Sequence, residues 1–368
     1  MKRNNLILFA VLVLLMFSCR KAVKVSPAPA PAKQSMPAMT IRGKEFYDTN
    51  GKRFIPWGLQ YTNTAKIPLL EDNWFADTTW AVILQDFQNM KALGANIIRI
   101  HLEYNKFMLS STLPNQEELN RLKQLVDYAE QIGEYLDVTG LACYRASDTP
   151  AWYNAMNEQQ RWATQCVFWE AIAKTIGGNN NVMDYDLMNE PVAPASVTNT
   201  WLPGAPFGGY NFVQNITENP AGRSTDSIFK AWTAQLSAAI RKYDKKTLIT
   251  VGFLPLGNIA DCGTNLNYIS THVYPTTGQI PQEVSFVNTN NQQTAEPLVI
   301  EEFYDLYADH ADMVSFMEQT RDNVSGYLSY YDGNGPQELL ECHTTTIGCA
   351  IQYDWMQFYF SVGVDPNK

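Results

Sequence analysis

The chain has 368 residues and a formal net charge of −10, which speaks against nucleic acid or an anionic lipid surface as an electrostatic partner. Hydrophobic residues make up 45 % and charged residues 17 %, so the chain is globular and long enough for one large domain or two ordinary ones. Its four histidines (His101, His272, His310 and His343) form no zinc-type pair, and neither a metal site nor an organic cofactor is expected.

Lys2-Arg3 precede an apolar run from Leu6 to Phe17, the pattern of a secretion signal over residues 1–18. The run is too short to span a bilayer, which takes ~20 residues. Leu15-Met16-Phe17-Ser18-Cys19 resembles a bacterial lipoprotein box, so Cys19 is the expected lipidation site. The following residues, to about 39, are rich in proline and alanine (Pro27, Pro29, Pro31, Pro37) and read as an extended tether. This organisation predicts a monomeric domain over 40–368, held on the bacterial cell envelope outside the cytoplasm. Cys342 and Cys349 are close enough in sequence to pair in an oxidising compartment.

From Ile41 to Phe54 the chain alternates around Asn50-Gly51, a hairpin signal that reads as a small β-cap. Phe54 to Leu59 reads as the first of eight strands, and Asp77 or Thr78 as the cap of the helix carrying Ile83, Phe87 and Met90. Asn96–His101, Tyr135–Ala142, Val182–Met188, Leu248–Gly252, Tyr268–Val273, Leu298–Glu302 and Gly326–Tyr331 follow as strands, near-continuously apolar as buried parallel strands are. Helical periodicity separates most of them, but it is weak between the fifth and seventh strands, and Asp354–Ser361 reads as a closing helix. The pattern predicts an α/β fold: a single (β/α)8 barrel with a small N-terminal β-hairpin cap and a long loop, Val192–Thr225, after strand 4. A doubly wound sheet would call for a glycine-rich phosphate loop after an early strand, and the chain has none.

In such a barrel the chemistry lies at the C-terminal lips of the strands. Asn189-Glu190-Pro191 ends strand 4, where proline stops the ladder, and Glu301-Glu302-Phe303 ends strand 7. One lone glutamate after a strand is usually an ion-paired surface residue. Two at barrel lips are the equipment for glycosidic-bond cleavage, one protonating the leaving oxygen and one attacking the anomeric carbon. Arg99, inside an apolar strand, needs an anionic partner, and Glu302 is a candidate. Asn189 is placed to donate to a sugar 2-hydroxyl. Side-chain alternation sends Glu301 and Glu302 to opposite faces, so only one reaches the cleft. The nine tryptophans and nineteen tyrosines suit either a large core or a cleft that stacks on sugar rings.

Taken together, the cap leading to Trp57-Gly58, Arg99, Asn189-Glu190-Pro191, His272-Val273-Tyr274 and Glu302-Phe303 resemble clan A glycoside hydrolases, most closely family 5, the cellulases and mannanases. The resemblance implies a retaining hydrolase of β-linked glucans or mannans, with Glu190 as acid/base and Glu302 as nucleophile. It also implies that Arg99, Asn189, His272, Tyr274 and Trp57 serve the substrate site. The family's strand-3 histidine is replaced here by the stretch Leu141-Ala142-Cys143-Tyr144 and its strand-8 tryptophan by tyrosines, of which Tyr330 is the expected substitute. The alternatives are a transglycosylase using the same covalent intermediate and a non-catalytic glycan-binding lipoprotein. A binding module has no need of both glutamates.

Overall fold

The computed structural model describes residues 35–63, 65–263 and 265–362. The leader, Cys19 and most of the tether lie outside them. Eight parallel strands close into a barrel: β1 (Trp57–Thr62), β2 (Ile97–Glu103), β3 (Tyr135–Ala142), β4 (Val182–Asn189), β5 (Leu248–Phe253), β6 (Ile269–His272), β7 (Leu298–Glu302) and β8 (Gly326–Asp332). β8 pairs with β1 to complete the ring. Every residue of β3 and β4 is buried, since these strands have the barrel interior on one face and helices on the other.

The first strand starts later than expected. Phe54 belongs to the cap, where it pairs with Phe46, and Pro56 separates the two pairings because it has no N–H for a ladder. The cap is three-stranded (Met39–Arg42, Glu45–Asp48, Arg53–Phe54), with a turn at Gly43 that the sequence pattern did not announce besides the one at Gly51. Met39 and Phe46 of this cap pack against Ile97, Tyr135, Met183, Leu248, Tyr268, Val299 and Leu328 from the N-terminal ends of the strands. The barrel floor is thereby plugged with apolar side chains, which leaves the C-terminal mouth as the face open to chemistry.

The helices follow local capping rules. α1 (Asp77–Leu93) begins after Ala76, with Asp77 in its first turn rather than at the cap, and ends at Gly94 with φ of 120°. α2 (Gln116–Ile132) is capped by Asn115 and ends at Gly133 in the left-handed region; α3 (Glu158–Ile176) opens with an Asn157/Gln160 capping box. α4 (Thr225–Ile240), α5 (Ile280–Gln293) and α6 (His310–Thr320) lead to α7 (Ile347–Ser361), which starts well before the expected Asp354 because Thr346 caps it. A disulfide joins Cys342 to Cys349.

Candidate active site

The site is built on lateral register. Gln60 on β1 lies beside Arg99 on β2, Arg99 beside Asp137 on β3, and Asp137 beside Asp184 on β4; one step up, Thr139 lies beside Asp186. A belt of polar side chains therefore crosses four strands inside the barrel, beneath the mouth. Arg99 is fully buried at its centre, and every arm of its guanidinium is used. Nη1 donates to Glu302 Oε1 and Gln60 Oε1, both at 2.7 Å. Nη2 donates to Asp186 Oδ2 at 2.7 Å and Asn189 Oδ1 at 3.1 Å, and Nε donates to Thr139 Oγ1 at 2.8 Å. The expected partnership of Arg99 with Glu302 is present, shared with Asp186.

Glu190 follows the last residue of β4 with φ of 45°, a left-handed conformation that costs a side-chain-bearing residue roughly 1–3 kcal/mol. The surroundings hold it there. Its N–H donates to Gly252 O at 2.9 Å, and its carbonyl accepts from Gln214 N at 3.3 Å. Gln214 comes from the long loop, which returns to pair Gln214–Asn215 with Pro191–Val192. The same loop anchors Asn189, whose Nδ2 donates to Phe212 O at 3.1 Å. The aromatic insertion thus forms a folded wall beside strand 4.

His272, at the end of β6, stands between the glutamates. Its Nδ1 lies 2.9 Å from Glu190 Oε1 and 3.2 Å from Glu302 Oε2. Burial opposes a charge on the ring, but Glu302, Glu190 and Glu301 outweigh it and lift the imidazole to about 10. In its protonated form the ring donates Nδ1–H to the pair. Oxygens of Glu190, Glu302 and a nitrogen of His272 all lie within 4.8 Å of one another.

Glu302 is 6 % exposed and receives donors on both oxygens. Arg99 takes Oε1; the hydroxyls of Tyr274 and Tyr330 donate to Oε2, the latter at 2.7 Å. Burial works against its charge, yet His272, Arg99 and the two hydroxyls hold the carboxyl down at about 2. These donors favour the ionised form of Glu302. The arrangement sets an anionic carboxylate within reach of a second carboxyl, the spacing needed for attack on one side of a bond and proton transfer on the other.

Glu190, Glu302, Arg99, Asn189, His272, Tyr274 and Tyr330 all converge. Trp57 does not. It is the first residue of β1, at the end away from the mouth, packed at 4.8 Å against Tyr359 of α7 and edge-on to Tyr327. Sequence alone could not say which end of the strand Trp-Gly marks; with the strand starting after Pro56, Trp57 belongs to the outer core. The expectation about Glu301 also fails. Thr271 pairs with Ile300 and His272 with Glu302, so Glu301 is the extra residue of a β-bulge and, like Glu302, points inward.

Gln60, Thr139, Asp186, His101 and Tyr144 were not singled out from sequence. Asp184 and Asp186 carried a signal, being two acids in an apolar strand that could answer Arg99. His101 bonds the Tyr144 hydroxyl through Nδ1 and faces Gln60 Oε1 at 3.2 Å through Nε2. Burial, with Arg99 beside it, keeps this ring well below the usual histidine range, hence neutral. His101 on β2 thus reaches Tyr144, in the stretch after β3 that carries no histidine.

Residues 47–333 match a family model described as cellulase (glycosyl hydrolase family 5). Among solved structures, an exo-β-1,4-mannosidase from Opitutaceae bacterium strain TAV5 superposes with a TM-score of 0.63 at 16 % identity, over 88 % of this chain and 62 % of the mannosidase. A β-glucanase from Saccharophagus degradans gives 0.60 at 16 % identity, over 91 % and 98 % of the two chains. A β-mannanase from the blue mussel Mytilus edulis gives 0.58 at 12 % identity, over 90 % and 98 %. At these identities the structural likeness is one of fold.

Proposed function

The chain belongs to glycosyl hydrolase family 5, and from that premise we propose that it is a retaining hydrolase of β-linked glucans or mannans, with Glu302 as nucleophile and Glu190 as acid/base. The observation that carries this reading is the spacing of the two glutamates. Their nearest oxygens lie within 4.8 Å, which supports direct attack at a carboxyl separation of ~5–5.5 Å rather than the ~6.5–9.5 Å of an inverting enzyme.

In the first step a Glu302 oxygen bonds to the anomeric carbon while Glu190 gives its proton to the departing glycosidic oxygen. In the second, Glu190 takes a proton from water, whose oxygen displaces Glu302. The tyrosine hydroxyls and Arg99 fix the carboxylate of Glu302 before substrate arrives, so little reorganisation is needed in the transition state. Asn189, held by Arg99 and by the long loop, is placed for a sugar hydroxyl. Glucan and mannan are both carried as substrates because the β-glucanase and the β-mannanase named above share this fold. The leader and Cys19 support an extracytoplasmic, lipid-anchored protein.

The test is turnover of the mature protein on β-glucans and β-mannans, with Glu302→Gln alongside. Retained anomeric configuration in the first-formed product, with turnover abolished by the substitution, is expected. Inverted product, or normal turnover in Glu302→Gln, overturns the mechanism.

A further inference from the structure

Glu301 has no part in the two-step reaction, yet the structure commits a buried charge to it beside the reacting groups. A regular strand would turn this side chain outward toward the helices; the bulge turns it inward. It is fully buried, and its Oε2 lies 3.4 Å from His272 Nε2 and 3.4 Å from Arg99 Nη2. Both Glu301 oxygens and His272 Nε2 lack a well-formed hydrogen bond among the described residues, so Glu301 Oε2 meets His272 and Arg99 as ion-pair contacts at equal distance, with Asp137 also beside the carboxyl. The meeting point lies over Gly252. A methyl there would stand 2.5 Å from Glu301 Oε2, 2.7 Å from His272 Nε2 and 3.0 Å from Arg99 Nη2.

The His272 ring is therefore boxed by three carboxyl groups, Glu190 and Glu302 on Nδ1 and Glu301 on Nε2, with Arg99 as the nearby cation and His101 neutral. Building on the assignment of Glu190 and Glu302 above, we propose that Glu301 is a positioning residue. From inside the barrel it holds the His272 imidazole as a cation with Nδ1–H aimed at the catalytic pair.

The neighbouring acids do not cancel this role. Asp137 and Asp184 sit in register, and burial raises both carboxyls, with repulsion from neighbouring acids adding to it. Asp186 is bound to Arg99. Glu301 differs: burial disfavours its charge, but Arg99 and His272 hold the carboxyl below its ordinary range. A carboxylate here thus faces the imidazole from the side opposite to substrate. During the covalent step the negative charge facing Nδ1 passes from Glu302 to Glu190, whereas Glu301 faces Nε2 throughout and can keep His272 protonated on both sides of that step.

The experiment is a 15N NMR titration of the imidazoles in the wild type and Glu301→Gln, feasible because the sequence has only four histidines. Wild-type His272 is expected to stay protonated through pH 8, and in Glu301→Gln to titrate about 1–3 pH units lower. The substitution should lower kcat with little change in KM, and Glu301→Asp should restore part of it. A neutral wild-type His272 at pH 8, or a titration unmoved in Glu301→Gln, overturns the proposal. Should that variant not fold, Gly252→Ala, which wedges the two groups apart, is read by the same criterion. The titration needs no substrate. A shifted His272 in a protein inactive on every glycan would sink the hydrolase assignment and leave Glu301's hold on the ring intact.

Discussion

Gly252→Ala isolates the contact on which the site's geometry turns. The backbone at Gly252 is not in the left-handed region, so alanine brings no conformational strain. Its amide still donates to Asp186 Oδ1, and its carbonyl still accepts from Glu190. What changes is one methyl, 2.5 Å from Glu301 Oε2 and 2.7 Å from His272 Nε2, where ordinary contact begins at 3.4 Å. The two side chains must withdraw by about 0.9 Å and 0.7 Å respectively, and neither has space behind it, because Glu301 abuts Arg99 and His272 abuts both glutamates. Overpacking of this kind costs ~1–3 kcal/mol of stability. A displacement of ~1 Å at a reacting group costs ~100-fold in rate. Urea unfolding and kcat on the preferred glycan measure the two effects separately. A drop in turnover far larger than the change in stability at the assay temperature is expected. Turnover within about threefold of wild type would refute the idea that the Glu301–His272–Arg99 junction sets the positions of Glu190 and Glu302 for the proposed reaction.

Three further outcomes follow from the same geometry. Tyr274→Phe and Tyr330→Phe each remove a donor from Glu302 Oε2, so the carboxyl held at about 2 should rise and the acid limb of kcat/KM should move to higher pH; an unmoved limb would argue against Glu302 as the ionised nucleophile. The sign follows from a depressed carboxyl: its contribution is present above the ordinary value of 4.5 and lost as pH falls through the folded value. Glu190→Gln should cut polysaccharide hydrolysis by ~10²–10⁴-fold while sparing formation of the glycosyl-enzyme from activated aryl glycosides, whose leaving groups need no proton. Equal losses of that first step on both substrates would remove Glu190 from the acid role. Cys19→Ala should shift the protein from the membrane to the soluble fraction, and continued membrane retention would exclude lipidation at Cys19 as the anchor.

The barrel was legible because its strands are apolar runs and most of its helices carry a periodic face. α5 was not, and its buried positions show why. Ile280, Val284 and Val287 make a helical stripe, but the stripe continues in Asn290 and Asn291, which are buried to serve neighbours. Asn290 Oδ1 accepts from Ile259 N, and Asn291 Nδ2 donates to Asn323 Oδ1. Polar residues spent on tertiary hydrogen bonds erase the pattern that a hydrophobic reading depends on. The glutamates were found because each sits at a strand end, a position local sequence can mark.

Their supports were found only where one residue announced a need. Arg99 in an apolar strand required an anion, and Glu302 was one correct answer. Asp186 was an equally close one, 2.7 Å away, and remained hidden because the pairing depends on lateral register across β2, β3 and β4 rather than on spacing within any one strand. Glu301 was hidden more deeply. Alternation allowed only one of Glu301 and Glu302 to face inward, and it fails here because a bulge inserts Glu301. A bulge has no side-chain signature of its own here. Its trace is the otherwise costly doubling of acids, which a parallel barrel tolerates only if both find cations inside. Arg99 and His272 supply them, so the Glu301-Glu302 pair implies a doubly cationic interior as firmly as Arg99 implies an acid.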